Sequence, residues 1–191
     1  MEYKGYPVEI IRSSRKTLSL EIAPGPSIRV RAPYRMPLRE ITAFMRQKSS
    51  WLDSHLAKAA QREERVEAAG TLPDEELDRL GNLAVDYFSA GVARLAPKVG
   101  VTYGRITIRW QKTRWGSCSS KGNLNFNALL MLAPPEVRDY VIVHELCHRL
   151  EMNHSPRFWA QVERVLPDWR ARRKWLKDHG GELMGRMIGP E

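Results

Sequence analysis

Two histidines four residues apart, His144 and His148, follow the Pro134-Pro135 pair and precede Asn153, and this spacing constrains the chain more than any other feature. Proline is tolerated at the first position of a helix, and the residues after it are apolar and helix-compatible, which predicts a helix from Pro135 to about Met152. Residues four apart project from one face of a helix, so both imidazoles point the same way. Two neutral imidazoles on one face can share a Zn2+ ion. Glu145 is offset by about 100° from His144, which puts its carboxylate beside such a metal rather than on it. There it can take a proton from an activated water. A catalytic zinc site needs a third protein ligand and one open position. His154 lies just past Asn153, a residue type that tolerates the left-handed conformation ending many helices, so the chain can turn and bring His154 back. Glu151, Glu163 and His179 are rival third ligands. Cys147, between the two histidines, reads as a small buried hydrophobe, although a thiolate there could also bind metal. His55 reads as a packing or surface histidine, and Phe158-Trp159 as core.

Length and cysteine content narrow the setting. A chain of 191 residues with two cysteines has neither a disulfide framework nor a four-cysteine zinc site. It is long enough to bury a core without a staple, as one domain or one domain with a small appendage. No apolar run reaches the length of a membrane span. The first residues mix acids and bases without an apolar signal core, and a cytoplasmic, reduced protein is the expectation. The formal net charge is +9. No acidic residue occurs between Val101 and Pro135, where Arg105, Arg109, Lys112, Arg114 and Lys121 fall. A second basic cluster, Arg170, Arg172, Arg173, Lys174 and Lys177, reads as a solvated helix face. Such charge attracts phosphates, acidic peptides or nucleic acid.

The rest of the pattern predicts an α+β chain. Strands are expected at Val8–Ile11, Thr17–Ile22 and Ile28–Arg31, with a turn at Pro24-Gly25-Pro26. Helical spacing runs from Leu38 to Leu56 and again from Glu75 to Ala96, with a charged hinge or loop from Gln61 to Pro73. Strands return at Arg105–Trp110 and Asn123–Leu132, the latter expected at a sheet edge above the histidine-bearing helix. Ser155 caps a helix opened by Pro156, Pro167-Asp168 breaks it, and Gly180-Gly181 ends the next one. The expected organisation is an N-terminal β-rich segment, 1–35, packed on a domain of residues 36–191, or a single domain throughout.

Taken together, His144-Glu145-Leu146-Cys147-His148, Asn153-His154-Ser155-Pro156-Arg157-Phe158-Trp159 and Leu166-Pro167-Asp168 resemble the YgjP-like family of small metal-dependent hydrolases, which is related to SprT-like zinc metallopeptidases. Thr113–Asn123, Asn127–Pro134 and Ser14–Leu20 are similar to that family as well, so the resemblance spans nearly the whole chain. It implies a zincin-like catalytic core: helices plus a small twisted mixed sheet with an edge strand over the helix that carries the motif. It also implies Zn2+ on His144, His148 and His154, with Glu145 as general base. The three-histidine spacing is similar to the metzincin pattern too, but Glu151 stands where that pattern has glycine, which argues against it.

The function expected is a zinc-dependent metallopeptidase that cleaves peptide bonds with water activated by the metal and Glu145. The alternatives are a metal-dependent nucleotide phosphoanhydride hydrolase and a nucleic-acid-associated repair-type protease. The partner expected is a peptide or protein substrate, anionic in one version, with nucleotide or nucleic acid admitted by the basic charge and no membrane. Arg114, Asn125 and Tyr140 are candidates for stabilising developing negative charge on the substrate oxygen.

Overall fold

The computed structural model describes residues 1–187. The chain forms two compact units, Met1–Ala69 and Gly70–Glu191. The boundary expected after residue 35 falls inside the first of them.

The first unit contains strands β1 (Glu2–Tyr3), β2 (Tyr6–Ser13), β3 (Ser19–Ala23) and β4 (Ser27–Pro33), then helices α1 (Leu38–Gln47) and α2 (Ser49–Ala69). The strands lie in the order β1-β2-β4-β3, with β2 and β4 parallel and the other pairs antiparallel. Alternation decides which side is covered. Ile28, Val30 and Ala32 of the central strand are fully buried and share a core with Ile41 and Met45 of α1 and Leu52 and Leu56 of α2. The turn at residues 24–26 uses Gly25 at φ +69°, where a side chain would strain the backbone. The helical spacing read from Leu38 to Leu56 is divided between two helices at Lys48. The expected hinge from Gln61 to Pro73 is for the most part helix. Its glutamates, arginines and alanines are good helix formers, and α2 continues until Gly70, at φ +64°.

The second unit opens with α3 (Asp74–Val99), continues through β5 (Ile106–Arg109), β6 (Gly116–Cys118), β7 (Leu124–Asn127) and a 3-10 helix (Ala128–Leu132), and closes with α4 (Pro135–Cys147), α5 (Pro156–Val165) and α6 (Trp169–Gly185). Its small sheet has the order β5-β7-β6, with β5 parallel and β6 antiparallel to β7. The mixed α+β architecture is the class expected. The edge strand is a correction: β7 is central, and the edge beside α4 is β6. The strand expected over Asn123–Leu132 is also shorter, because Asn127 turns inward. Its Oδ1 accepts from Leu129 N and starts the 3-10 helix, and its Nδ2 donates to the carbonyls of Gln111 and Arg114.

The core of this unit explains the burial of α4. Phe88 of α3 stacks on Phe126 of β7 with ring centroids 4.5 Å apart. Val141, Ile142, Val143, Leu146 and Cys147 fill the space below. A helix buried nearly all round carries its polar residues into low dielectric, and Glu145 is one of them. Pro134-Pro135 opens α4 and Ser155 caps α5, as expected; the Ser155 hydroxyl accepts from Phe158 N at 3.3 Å. Pro167-Asp168 separates α5 from α6. Two expectations fail here. Helix α4 ends at Cys147 rather than Met152. Gly180-Gly181 lies inside α6, because Gly180 serves packing: a Cβ there would sit 2.9 Å from the Trp115 ring. No helix among the described residues is long and apolar enough to cross a membrane.

Candidate metal centre and catalytic cleft

Helix α4 delivers His144 in its last turn and His148 at its C-cap. The chain then turns through residues 149–154. No left-handed residue makes that turn, contrary to the role expected of Asn153. Its side chain does so instead, with Oδ1 accepting from Ser155 N at 3.2 Å. His154 is thereby returned to α4, and its Nε2 lies 3.0 Å from His144 Nε2. One potential ligand atom from each of His144, His148 and His154 falls within 4.8 Å of the others. Phe158, fully buried, supports all three rings at centroid distances of 4.5–4.9 Å. Trp159 stacks on His154 at 5.7 Å and on Trp169 at 4.3 Å. Phe158 is core, as expected, while Trp159 also braces a site residue.

The donor set fits a cation. His148 Nδ1 donates to the Glu151 carbonyl at 3.0 Å. A carbonyl only accepts, so the proton is on Nδ1 and Nε2 keeps its lone pair. Burial, reinforced by His148, His154 and Arg173, pushes His144 down to about 3, so its ring is neutral. Burial likewise lowers His148. Three rings held close together, with protonation of His144 and His148 disfavoured by burial, are a natural seat for a soft-to-borderline dication such as Zn2+. The rival ligands are elsewhere. Glu163 pairs with Arg170, Glu151 contributes its backbone carbonyl, and His179 stacks on Trp175. His55 stacks on Trp51, in the first unit. Cys147 is fully buried, and its burial pushes the thiol up to about 12, as a packing residue requires.

Glu145 is 5% exposed, and burial alone pushes its carboxyl up to about 8. A dication bound nearby lowers such a carboxyl again by direct attraction, so proton affinity and metal are coupled here. The carboxyl lies against Gly116 of β6: a Cβ at that glycine would stand 2.6 Å from Oε1, 2.9 Å from Cγ and 3.0 Å from Cδ. Only a residue without a side chain lets the strand lie so close. Gly116 falls in the Thr113–Asn123 stretch that resembles the family, but its contact with Glu145 is not legible there because the partner is distant along the chain.

Two adjoining cavities open on this carboxyl. The larger, about 410 Å3, is lined by Arg114, Tyr140, His144, Glu145, Arg173 and Lys177, among others. The smaller, about 250 Å3, runs beside Gly116, Ser117 and Cys118 to His148 and His154. Burial pushes the Tyr140 phenol up to about 12, so it remains a hydrogen-bond donor. Of the three charge-stabilising candidates, Arg114 and Tyr140 reach the cavity. Asn125 does not: its side chain donates to Ser117 Oγ. Of the basic residues between Val101 and Pro135, Arg114 is the one that lines it.

Asn127 anchors the cavity wall. Fully buried, it holds the carbonyls of Gln111 and Arg114 and the amide of Leu129. Asn127→Ala is expected to cost about 2–4 kcal/mol, since buried groups that lose their partners pay desolvation without compensation. Denaturant unfolding of the two proteins measures it.

Residues 16–84 and 77–179 match a family model described as YgjP-like, metallopeptidase domain. No curated protein matches the chain. Among solved structures, the chain is similar to the crystal structure of the metallopeptidase zymogen of Pyrococcus abyssi abylysin, at 22% identity over 47% of this chain and 92% of that one, with a TM-score of 0.43.

Proposed function

The chain belongs to the YgjP-like metallopeptidase family and is a zinc-dependent hydrolase of peptides or proteins; within that, we propose that His144, His148 and His154 hold the zinc and that Glu145 is the catalytic base. The observation that supports this most directly is the convergence of three imidazoles, one of them on the residue before a buried carboxyl of α4. When bound, zinc supplies Lewis acidity toward water and the scissile carbonyl. Glu145 takes the proton of the attacking water on a carboxylate oxygen and delivers it to the departing amine nitrogen. Tyr140 supplies an O–H donor to the cavity where the carbonyl oxygen gains charge.

Strand β6 offers the substrate a place to lie. Asn127 N donates to the Trp115 carbonyl, and Ser119 N to the Asn123 carbonyl. Alternation along an antiparallel pair therefore turns residues 115, 117 and 119 toward β7 and leaves the backbone groups of Gly116 and Cys118 facing outward. An extended peptide can add to that edge beside the histidines. All these side chains lie between Arg114 and Lys177, which makes the second compact unit the proposed catalytic domain. The two free thiols suit a reducing compartment, and the cytoplasm is the proposed location.

The test is hydrolysis of an unfolded protein such as casein by zinc-loaded protein. Cleavage is expected, with about one zinc per chain, and a zinc chelator is expected to abolish it. His154→Ala is expected to lose stoichiometric zinc and activity together; full retention of both would remove His154 from the ligand set. Hydrolysis of nucleoside triphosphates with no cleavage of peptides would move the function to phosphoanhydrides.

A further inference from the structure

The basic residues of α6 divide into two groups. Arg170 pairs with Glu163, Arg172 with Asp168, and Lys174 with Asp178. Arg173 and Lys177 have no such partner among the described residues. They stand one turn apart, on one face of α6, and both line the 410 Å3 cavity next to Glu145. Arg114 reaches the same cavity from the loop before β6, and no carboxylate of the described residues forms an ion pair with it. Arg173 is held in place: its guanidinium lies 4.8 Å over the Trp159 ring and 6.0 Å from that of Trp169. Trp115 and Leu176 supply apolar wall between the cations. Three cations lining one cavity, with Glu145 as the one carboxyl of its lining, leave an excess of positive charge that an anion would offset, and an apolar wall suits the methylene stem of the group that carries it.

We propose that Arg114, Arg173 and Lys177 form a specificity pocket for an acidic side chain of the substrate, on a residue adjoining the scissile bond. The ligand is a glutamate or aspartate in an extended peptide lying on the edge of β6. Its carboxylate meets guanidinium groups able to bind it in a two-pronged fashion, with the Lys177 ammonium as a third charge. This assignment rests on the peptidase reading of the same site. It explains why the two cations of α6 that line the cavity have no ion pair among the described residues, while the other three do.

The experiment separates the two readings. Peptides identical except for Glu or Gln on either side of one cleavable bond are compared by kcat/KM, and the same peptides are titrated onto zinc-loaded Glu145→Gln protein to measure binding without turnover. The Glu peptide is expected to be favoured about 10–100-fold in both measurements, the range for a hydrogen bond to a charged group. Its binding is expected to weaken with salt, whereas that of the Gln peptide is not. Arg173→Gln and Lys177→Gln are each expected to bring the Glu/Gln ratio toward one. Lys177 touches no aromatic ring in the described residues, so its variant carries the test if Arg173→Gln disturbs the tryptophan stack. Charge reversal, Lys177→Glu, is expected to lower the Glu/Gln ratio further than Lys177→Gln does. Cleavage of both peptides with equal kcat/KM and equal binding overturns the pocket and leaves the peptidase reading standing. Preferential binding of the Glu peptide without cleavage upholds the pocket and overturns the peptidase reading. Neither binding nor cleavage, with nucleoside triphosphates hydrolysed, overturns both.

Discussion

Glu145→Gln is expected to keep its fold and about one zinc per chain while losing about 10²–10⁴-fold in kcat, the range supplied by a positioned general acid–base. Glutamine has nearly the size of glutamate and still forms hydrogen bonds, but it cannot accept a proton. The buried site already disfavours charge at this position, pushing the carboxyl up to about 8. A neutral amide therefore brings no new desolvation cost, and thermal stability is expected to be unchanged or slightly higher. Zinc content, melting temperature and turnover are measured on one preparation. Lost turnover with zinc retained supports the base. Lost zinc would make Glu145 a support of the metal ligands, and retained turnover would remove it from the reaction.

Gly116→Ala is expected to lower kcat by about 10²-fold through geometry alone. The added methyl group would stand 2.6–3.0 Å from three atoms of the Glu145 side chain, so the carboxyl or β6 must move. A displacement of about 1 Å at a reacting group is enough for a loss of that size. The helix that carries Glu145 is buried nearly all round and cannot retreat, so the carboxyl itself must shift into the cavities that it lines. Zinc content is expected to remain, because none of the three histidines is among the nearest contacts of the added atom. A fall in kcat with KM unchanged is the signature of a displaced base. A rise in KM alone would mean that the methyl group blocks peptide docking on β6. In the Glu145→Gln background the same substitution should add almost nothing, since groups acting as a unit are not additive. Full activity of Gly116→Ala would show that β6 does not position the carboxyl.

The structure and the sequence agree best where the information is local. The spacing of His144 and His148, Pro134-Pro135 before α4, Ser155 before α5 and Pro167-Asp168 before α6 each depend on residues within a turn or two. So do the strands of the first unit, where alternation marks β2, β3 and β4 directly. The hinge read into residues 61–73 fails because a charged run rich in glutamate, arginine and alanine favours an exposed helix rather than a loop. The long strand read into residues 123–132 fails because the Asn127 side chain accepts from the Leu129 amide just ahead of it and donates to the Gln111 and Arg114 carbonyls of the loop before β6.

By itself the sequence determined that two imidazoles share a helical face with a carboxyl beside them, since helix periodicity is a property of neighbouring residues. It also supplied, through Asn153 and Ser155, the polar side chains that turn the chain back with His154. Only the tertiary structure decided what surrounds that group. Burial of α4 sets the proton affinity of Glu145, and packing on that carboxyl is the reason residue 116 is glycine. Pairing in the sheet makes β6 the edge, and ion pairs with Glu163, Asp168 and Asp178 leave Arg173 and Lys177 as the uncompensated charges of α6 facing the cavity. Desolvation, edge exposure and charge pairing depend on groups brought together from distant parts of the chain, and no local pattern of residues encodes them.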